Sequence, residues 1–101
     1  MAKGDRLSSA DVADRLRTLD GWSEREGKLH RELQFASFVE AFSFMTGVAL
    51  VAESMNHHPD WCNSYRTVVV DLSSHDVGGI SERDCKLATA IEAAWKRSTG
   101  A

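Results

Sequence analysis

Apolar side chains recur along this chain with two different periods, and the places where the period changes mark its elements. After Ser8 and Ser9, the residues Val12, Leu16 and Leu19 return at helical spacing, and Gly21 stands where such a helix would stop. In KLHRELQF, Leu29, Leu33 and Phe35 fall on one side of an extended chain and Lys28, His30, Glu32 and Gln34 on the other. With Trp22 opening a shorter strand and the turn-like EREGK between them, this predicts a hairpin. Ser37 followed by Glu40 is a capping box for a long helix. Within it Phe38, Phe42, Met45, Ala49 and Ala52 form one apolar stripe, and Ala41, Phe44, Val48, Val51 and Met55 form a second beside it. Pro59 biases His58 away from helical torsions, so the helix is expected to end near His57.

Beyond that turn, YRTVVVDLS alternates Val68, Val70 and Leu72 against Thr67, Val69 and Asp71, a half-buried strand preceded by a short one around Trp61 to Ser64. SHDVGGI reads as a glycine loop, Ser81 with Asp84 as a second capping pair, and Leu87, Ala88, Ile91 and Trp95 as the buried stripe of a last helix. The order α-β-β-α-β-β-α, with the strands in hairpins, predicts an α+β domain whose antiparallel sheet carries helices on one face.

The long helix is apolar around most of its girth, so it is either sandwiched within a domain or shared with another subunit. A chain of 101 residues has little else to sandwich it. Phe44, Val48 and Val51 are therefore expected at a contact with a second copy, with Gly47 allowing close approach.

Composition narrows the classes. The length predicts one domain over residues 1–101, and hydrophobic residues at 43% with charged residues at 27% suit a soluble globule. No charge-free apolar run reaches the ~20 residues of a membrane span, so no membrane association is expected. The N-terminus lacks an apolar signal core, and Cys62 and Cys85 are too few for a disulfide framework. A reducing, cytoplasmic setting with buried thiols follows as the expectation. Twelve Lys and Arg against fifteen Asp and Glu, with no run of like charge, argue against direct nucleic-acid binding.

Candidate chemistry gathers around ESMNHHPDW, which spends two of four histidines directly before the only proline. Glu53 and His57 are four apart, a spacing that lets the carboxylate orient the imidazole on one helix face. His75 follows the second long strand, at another element terminus, and Asp60, Asp76 and Asp84 lie nearby in sequence. Taken singly, each has a structural explanation: a helix-terminal histidine complements the helix dipole, and Asp84 is a cap. His57, His58, Cys62, His75 and Cys85 are metal-ligand types, but their spacing matches no common zinc pattern. Acid and base chemistry remains, for which imidazole, with an unperturbed pKa of about 6.5, is suited.

The segment from Glu53 to Asp84, ESMNHHPDWCNSYRTVVVDLSSHDVGGISERD, closely resembles the pterin-4a-carbinolamine dehydratases. Their signature runs ExxxHHP, an aromatic residue, S/T-H, then G-G-hydrophobic and a final aspartate. GWSEREGKLHRELQF and AFSFMTGVAL resemble the family's hairpin and long helix, so the likeness covers nearly the whole chain. The resemblance implies a four-stranded antiparallel sheet against helices, assembled as a homodimer or homotetramer. It implies dehydration of a 4a-hydroxytetrahydropterin to the quinonoid dihydropterin, the recycling step after aromatic amino acid hydroxylation, with no metal or other cofactor. By similarity His57, His58 and His75 are the acid/base set, and Glu53 and Asp84 orient or tune them. Asn56, His57 and His58, with Ser73, Ser74 and His75, would contact the pterin, and Trp22 would pack near its ring. Arg83 matches the family's SERD segment, where a surface charge explains it equally well. Some members carry Asp at the position of Asn56 and Thr at that of Ser74, which bears on substrate preference. Animal members also serve as dimerisation cofactors of a homeodomain transcription factor through the helical surface. An interaction module with a protein partner on the second helix is therefore the alternative function, and it would have no use for the histidines.

Overall fold

The computed structural model describes residues 5–101, so the first four residues of the expected single domain lie outside the described residues. The elements are α1 (Ser9–Leu16), β1 (Ser23–Arg25), β2 (Lys28–Gln34), α2 (Phe38–Met55), β3 (Asp60–Ser64), β4 (Thr67–Leu72), a short 3-10 turn at His75–Val77, and α3 (Glu82–Thr99). The strands form one antiparallel sheet in the order β1-β2-β4-β3, which is the expected α+β architecture.

Local chemistry accounts for the boundaries. Ser8 caps α1, its hydroxyl accepting from the Asp11 amide at 3.1 Å while the Asp11 carboxylate accepts from the Ser8 amide. Pairing of Arg25 with Lys28 leaves a two-residue turn, Glu26 and Gly27, both at positive φ (53° and 77°). Such left-handed turns match the twist of the strands they join. The Ser37 hydroxyl caps α2 through the Glu40 amide, but the Glu40 carboxylate accepts from Ala36 rather than from Ser37, so only half of the expected box forms.

The core lies between one sheet face and the two long helices. Leu29 and Leu33 from β2 and Val68, Val70 and Leu72 from β4 are fully buried, as the alternation requires. Above them α2 contributes Ala41, Phe44, Val48 and Ala52, and α3 contributes Leu87, Ala88 and Ile91. Trp95 is half-buried, its indole N–H donating to the Gln34 carbonyl at 3.0 Å. Across the layers Arg31 of β2 pairs with Glu92 of α3 at 2.9 Å and stacks over Trp95.

Two expectations are corrected. Phe44 and Val48 do not face a second copy: they are 3% and 2% exposed and sit on the sheet within the subunit. Val51 does face outward, 38% exposed, and the rest of the outward face of α2 is built from Phe38, Val39, Phe42 and Leu50, with Val39 71% and Leu50 70% exposed. Both stripes are apolar, so periodicity could not choose which one docks on the sheet. The same composition gives α2 a mean hydropathy of 1.4 over 18 residues, enough by length and composition alone to cross a membrane. One of its faces is nevertheless committed to the sheet. The second correction concerns the thiols. Cys85 is buried, and burial pushes its thiol up to about 11, whereas Cys62 on the edge strand β3 is exposed.

Candidate active site

Three element ends meet at one edge of the sheet: the exit of α2, the exit of β4 and the start of α3. Asn56 terminates α2 in the left-handed conformation (φ 51°, ψ 41°), its N–H closing onto the Ala52 and Glu53 carbonyls. Asn tolerates that conformation better than most side chains, and a residue there ends a helix while reversing the chain. The next residue, His57, donates its backbone N–H to the Ala52 carbonyl at 3.1 Å and is buried.

The His57 ring meets Asp84, Nε2 to Oδ1 at 2.5 Å. Asp84 is fully buried, and its other oxygen accepts from the Ser74 hydroxyl at 2.8 Å and from the Ser81 amide at 2.9 Å. The Ser74 and Ser81 hydroxyls are themselves 2.7 Å apart. A carboxylate without water is tolerable only when donors surround it, and three do so here. A carboxylate at Asp84 can only accept, which would make Nε2 of His57 the donor and leave Nδ1 as the other ring nitrogen.

Glu53 does not orient His57. Its carboxylate meets His58 instead, Oε1 to Nε2 at 2.8 Å, in an exposed pair. The reversal at Asn56 breaks the one-face relation between positions four apart, sending His57 inward and leaving His58 beside the last helical turn. An exposed pair of this kind contributes little to stability, so its effect is on the placement of His58.

His75 opens the 3-10 turn rather than ending β4, which stops at Leu72. Its loop is closed by two backbone bonds between Ser74 and Gly79, at 2.7 and 3.3 Å, with Gly78 at φ 68° completing the bend. His75 is exposed. A cleft of about 340 Å³ brings together Asn56, His57, His58, Ser73 and His75, with Arg83 and Asp76 in its wall. Arg83 donates to Asp76 at 2.7 Å, a hydrogen bond that holds the Asp76 carboxyl below the usual carboxylate range.

The sequence-predicted residues thus separate into groups. Asn56, His57, His58, Ser73 and His75 line one cleft. Asp84 and Ser74 are buried behind it, the one holding His57 and the other holding Asp84. Trp22 belongs to neither group: it is buried in the core with its indole N–H on Glu92 at 2.8 Å. Burial pushes Glu92 up, but the bonds from Arg31 and Trp22 outweigh it, leaving its carboxyl below the ordinary value. The sequence marks Ser81 only as a cap, and its hydroxyl touching Ser74 has no signature in a periodicity pattern. Arg83 was legible only through its neighbour Asp84.

Imidazole, hydroxyl and amide groups gathered at element ends, over a buried carboxylate, define the candidate site of this small α+β protein. The chain belongs to the pterin 4 alpha carbinolamine dehydratase family, whose sequence model matches residues 5–94. A relative from Bradyrhizobium sp. (strain BTAi1) bearing the family's name is 53% identical over 91 residues, covering 88% of this chain and 92% of its own. Another from Solibacter usitatus is 48% identical over 88 residues, covering 87% and 93%. Among solved structures, a transcriptional coactivator/pterin dehydratase from Brucella melitensis superposes with a TM-score of 0.87 at 39% identity, covering 90% of this chain and 99% of that one. A pterin dehydratase-like RuBisCO assembly factor of the alpha-carboxysome shares the fold, with a TM-score of 0.60 at 19% identity over 72% of this chain and 84% of its own.

Proposed function

We propose that this protein is a hydro-lyase that removes water from a 4a-hydroxytetrahydropterin to give the quinonoid dihydropterin, in the recycling of a reduced pterin such as tetrahydrobiopterin in the cytoplasm. The observation that carries the reading is the convergence of His57, His58 and His75 on one cleft, with His57 anchored by a buried carboxylate. In the reaction the C4a–O bond breaks and the departing oxygen takes a proton to leave as water. The N5–H proton passes to a base, and its electron pair forms the C4a=N5 double bond. One imidazole on each side of the ring would serve as acid and base. His57 and His75 come from different elements, which suits opposite sides of a flat substrate. Asn56 and Ser73 supply amide and hydroxyl groups for the pterin's polar edge, and His58, steadied by Glu53, supplies binding or the second proton transfer. Asp84 acts through His57 and is a positioning residue. Purified protein should accelerate the loss of 4a-hydroxypterin absorbance without added metal and equally in the presence of chelator. Activity that vanishes with chelator and returns with zinc would reject the metal-free scheme.

A second reading, an interaction module, is favoured by the exposed apolar face of α2. Phe38, Val39, Phe42 and Leu50 together form a patch of the kind that marks contact surfaces. We read it first as the contact of a homodimer or homotetramer, with a foreign protein partner as the alternative occupant. An interaction module lacking dehydratase activity would show no turnover in the same absorbance assay.

A further inference from the structure

The histidine cleft has two neighbouring hollows that share lining residues in series with it. A second hollow of about 380 Å³ shares Ser73 and His75 with it and runs on between Glu26, Gly27, Lys28 and Gly78. A third, of about 400 Å³, shares Gly27, Gly78 and Gly79 with the second and ends at Arg6, Ser8 and Glu24. The walls of the passage are two tight turns. A side chain placed at Gly27 or Gly78 would meet nothing within 4 Å, so the space above both is open. At Gly79 a Cβ would lie 2.6 Å from Cδ of Arg6, so the Arg6 stem rests on the glycine loop and its guanidinium stands at the far end.

The charges along this passage are mixed. Glu26 and Lys28 line the second hollow and Glu24 and Arg6 the third, and Lys28 is tied to Asp60 at 3.6 Å. None of the described residues forms an ion pair with Arg6. Such a wall offers donors and acceptors in similar number and favours neither a purely anionic nor a purely apolar tail. Under the dehydratase reading the bicyclic ring belongs in the first hollow, at His57 and His75, which leaves the second and third for a substituent.

We propose that the passage from His75 over Gly78 to Arg6 is a subsite for a long, hydroxylated substituent on pterin C6, a polyol or glycosyl chain, and that Arg6 and Glu24 determine specificity for it. The proposal rests on the dehydratase reading for the identity of the ring, while the passage itself is a property of the fold. Hydroxyl groups both donate and accept, which matches hollows that each carry one carboxylate and one cation. A carboxylated tail would gain Arg6 but lie against Glu24 and Glu26, so its gain is offset.

The test compares oxidised pterins, which bind without reacting: 6-methylpterin, a pterin glycosylated on its C6 side chain, and one whose C6 side chain ends in a carboxylate. Calorimetry on the full chain should show the glycosylated compound binding about five- to tenfold tighter than 6-methylpterin, the scale of one or two net hydrogen bonds. The carboxylated compound should show no such gain. The paired substitution Arg6→Ala with Glu24→Ala should erase the gain while circular dichroism shows the fold intact. Equal affinities for the methyl and glycosylated compounds, or tighter binding of the carboxylated one, would overturn the subsite. Absence of turnover on any 4a-hydroxypterin, with the affinity ratio preserved, would reject the dehydratase reading and leave the subsite standing.

Discussion

Asp84→Asn separates the two duties of the buried carboxylate. In the native protein Oδ2 accepts from the Ser81 amide and the Ser74 hydroxyl, and Oδ1 meets Nε2 of His57. A backbone N–H cannot reverse its polarity, so the single carbonyl oxygen of Asn must take the Oδ2 position. The amide NH2 then faces His57, where it can only donate. Nε2 must become an acceptor, which moves the ring hydrogen to Nδ1, the nitrogen that the proposed reaction uses. Packing volume is preserved and the helix start keeps its acceptor. The stability cost is that of one weakened charge-assisted hydrogen bond, about 1.5–3 kcal/mol. Turnover should suffer more, by about 10²-fold or beyond, because the wrong tautomer cannot perform the proton transfer its position requires. The absorbance assay gives the rate, a urea melt gives the stability, and nitrogen NMR of the ring reports the tautomer. Wild-type turnover together with a tautomer moved to Nδ1 would show that His57 does not exchange a proton with substrate. An unmoved tautomer would show that Asp84 does not dictate it.

Other outcomes follow from the same geometry. His57→Ala and His75→Ala should each lower turnover by about 10²-fold, the scale for a positioned acid or base, while His58→Ala should act more on KM than on kcat; unchanged rates in both of the first two would remove the site assignment. Ser74→Ala leaves the buried Asp84 one donor short, so it should cost about 1–3 kcal/mol in a urea melt, and a stability equal to wild type would show that Ser81 suffices. Glu92 sits below its ordinary pKa in the fold, so its stabilising effect is complete above the unfolded value of about 4.3 and is lost as pH falls through the lower folded value. The stability gap between wild type and Glu92→Gln should therefore be widest at neutral pH and close on acidification, and a gap independent of pH would show that the Arg31 pairing is not the cause. Leu50→Glu, on the outward face of α2, should lower the mass seen by light scattering without changing the urea midpoint extrapolated for the subunit, and a wild-type monomer would reject the oligomer reading.

The fold was legible where polar and apolar residues alternate with a clear period. β4 shows this well: Val68, Val70 and Leu72 are inside, and Thr67, Val69 and Asp71 lie between them, as read. Helix α3 was equally clear, because Leu87, Ala88 and Ile91 form its single apolar stripe. Helix α2 was not. With Phe38 and Phe42 on one side and Phe44 and Val48 on another, its pattern announces burial without saying which face the sheet takes. That choice is made by docking, and here the small Ala41 and Ala52 allow Phe44 and Val48 to approach the sheet closely. The Phe44 ring also lies 4.9 Å from that of Phe35, a contact between a strand end and a helix that neither element's period marks.

At the site, residue identity was legible and the partnership was not. Spacing alone pairs Glu53 with His57, and it fails because one left-handed residue, Asn56, intervenes between helix and histidine. The tertiary link from His57 to Asp84 spans 27 positions and cannot be read from any local period. Asp84 shows why the structural and chemical interpretations of such residues are not rivals. As the third residue of α3 its carboxylate must turn back to the Ser81 amide, because a helix start leaves that N–H without an internal partner. Fixing one oxygen in this way fixes the other, and the second oxygen is the one that meets Nε2. The cap therefore sets the position of the acceptor, the acceptor favours one tautomer of His57, and under the proposed reaction that tautomer decides which ring nitrogen would exchange a proton.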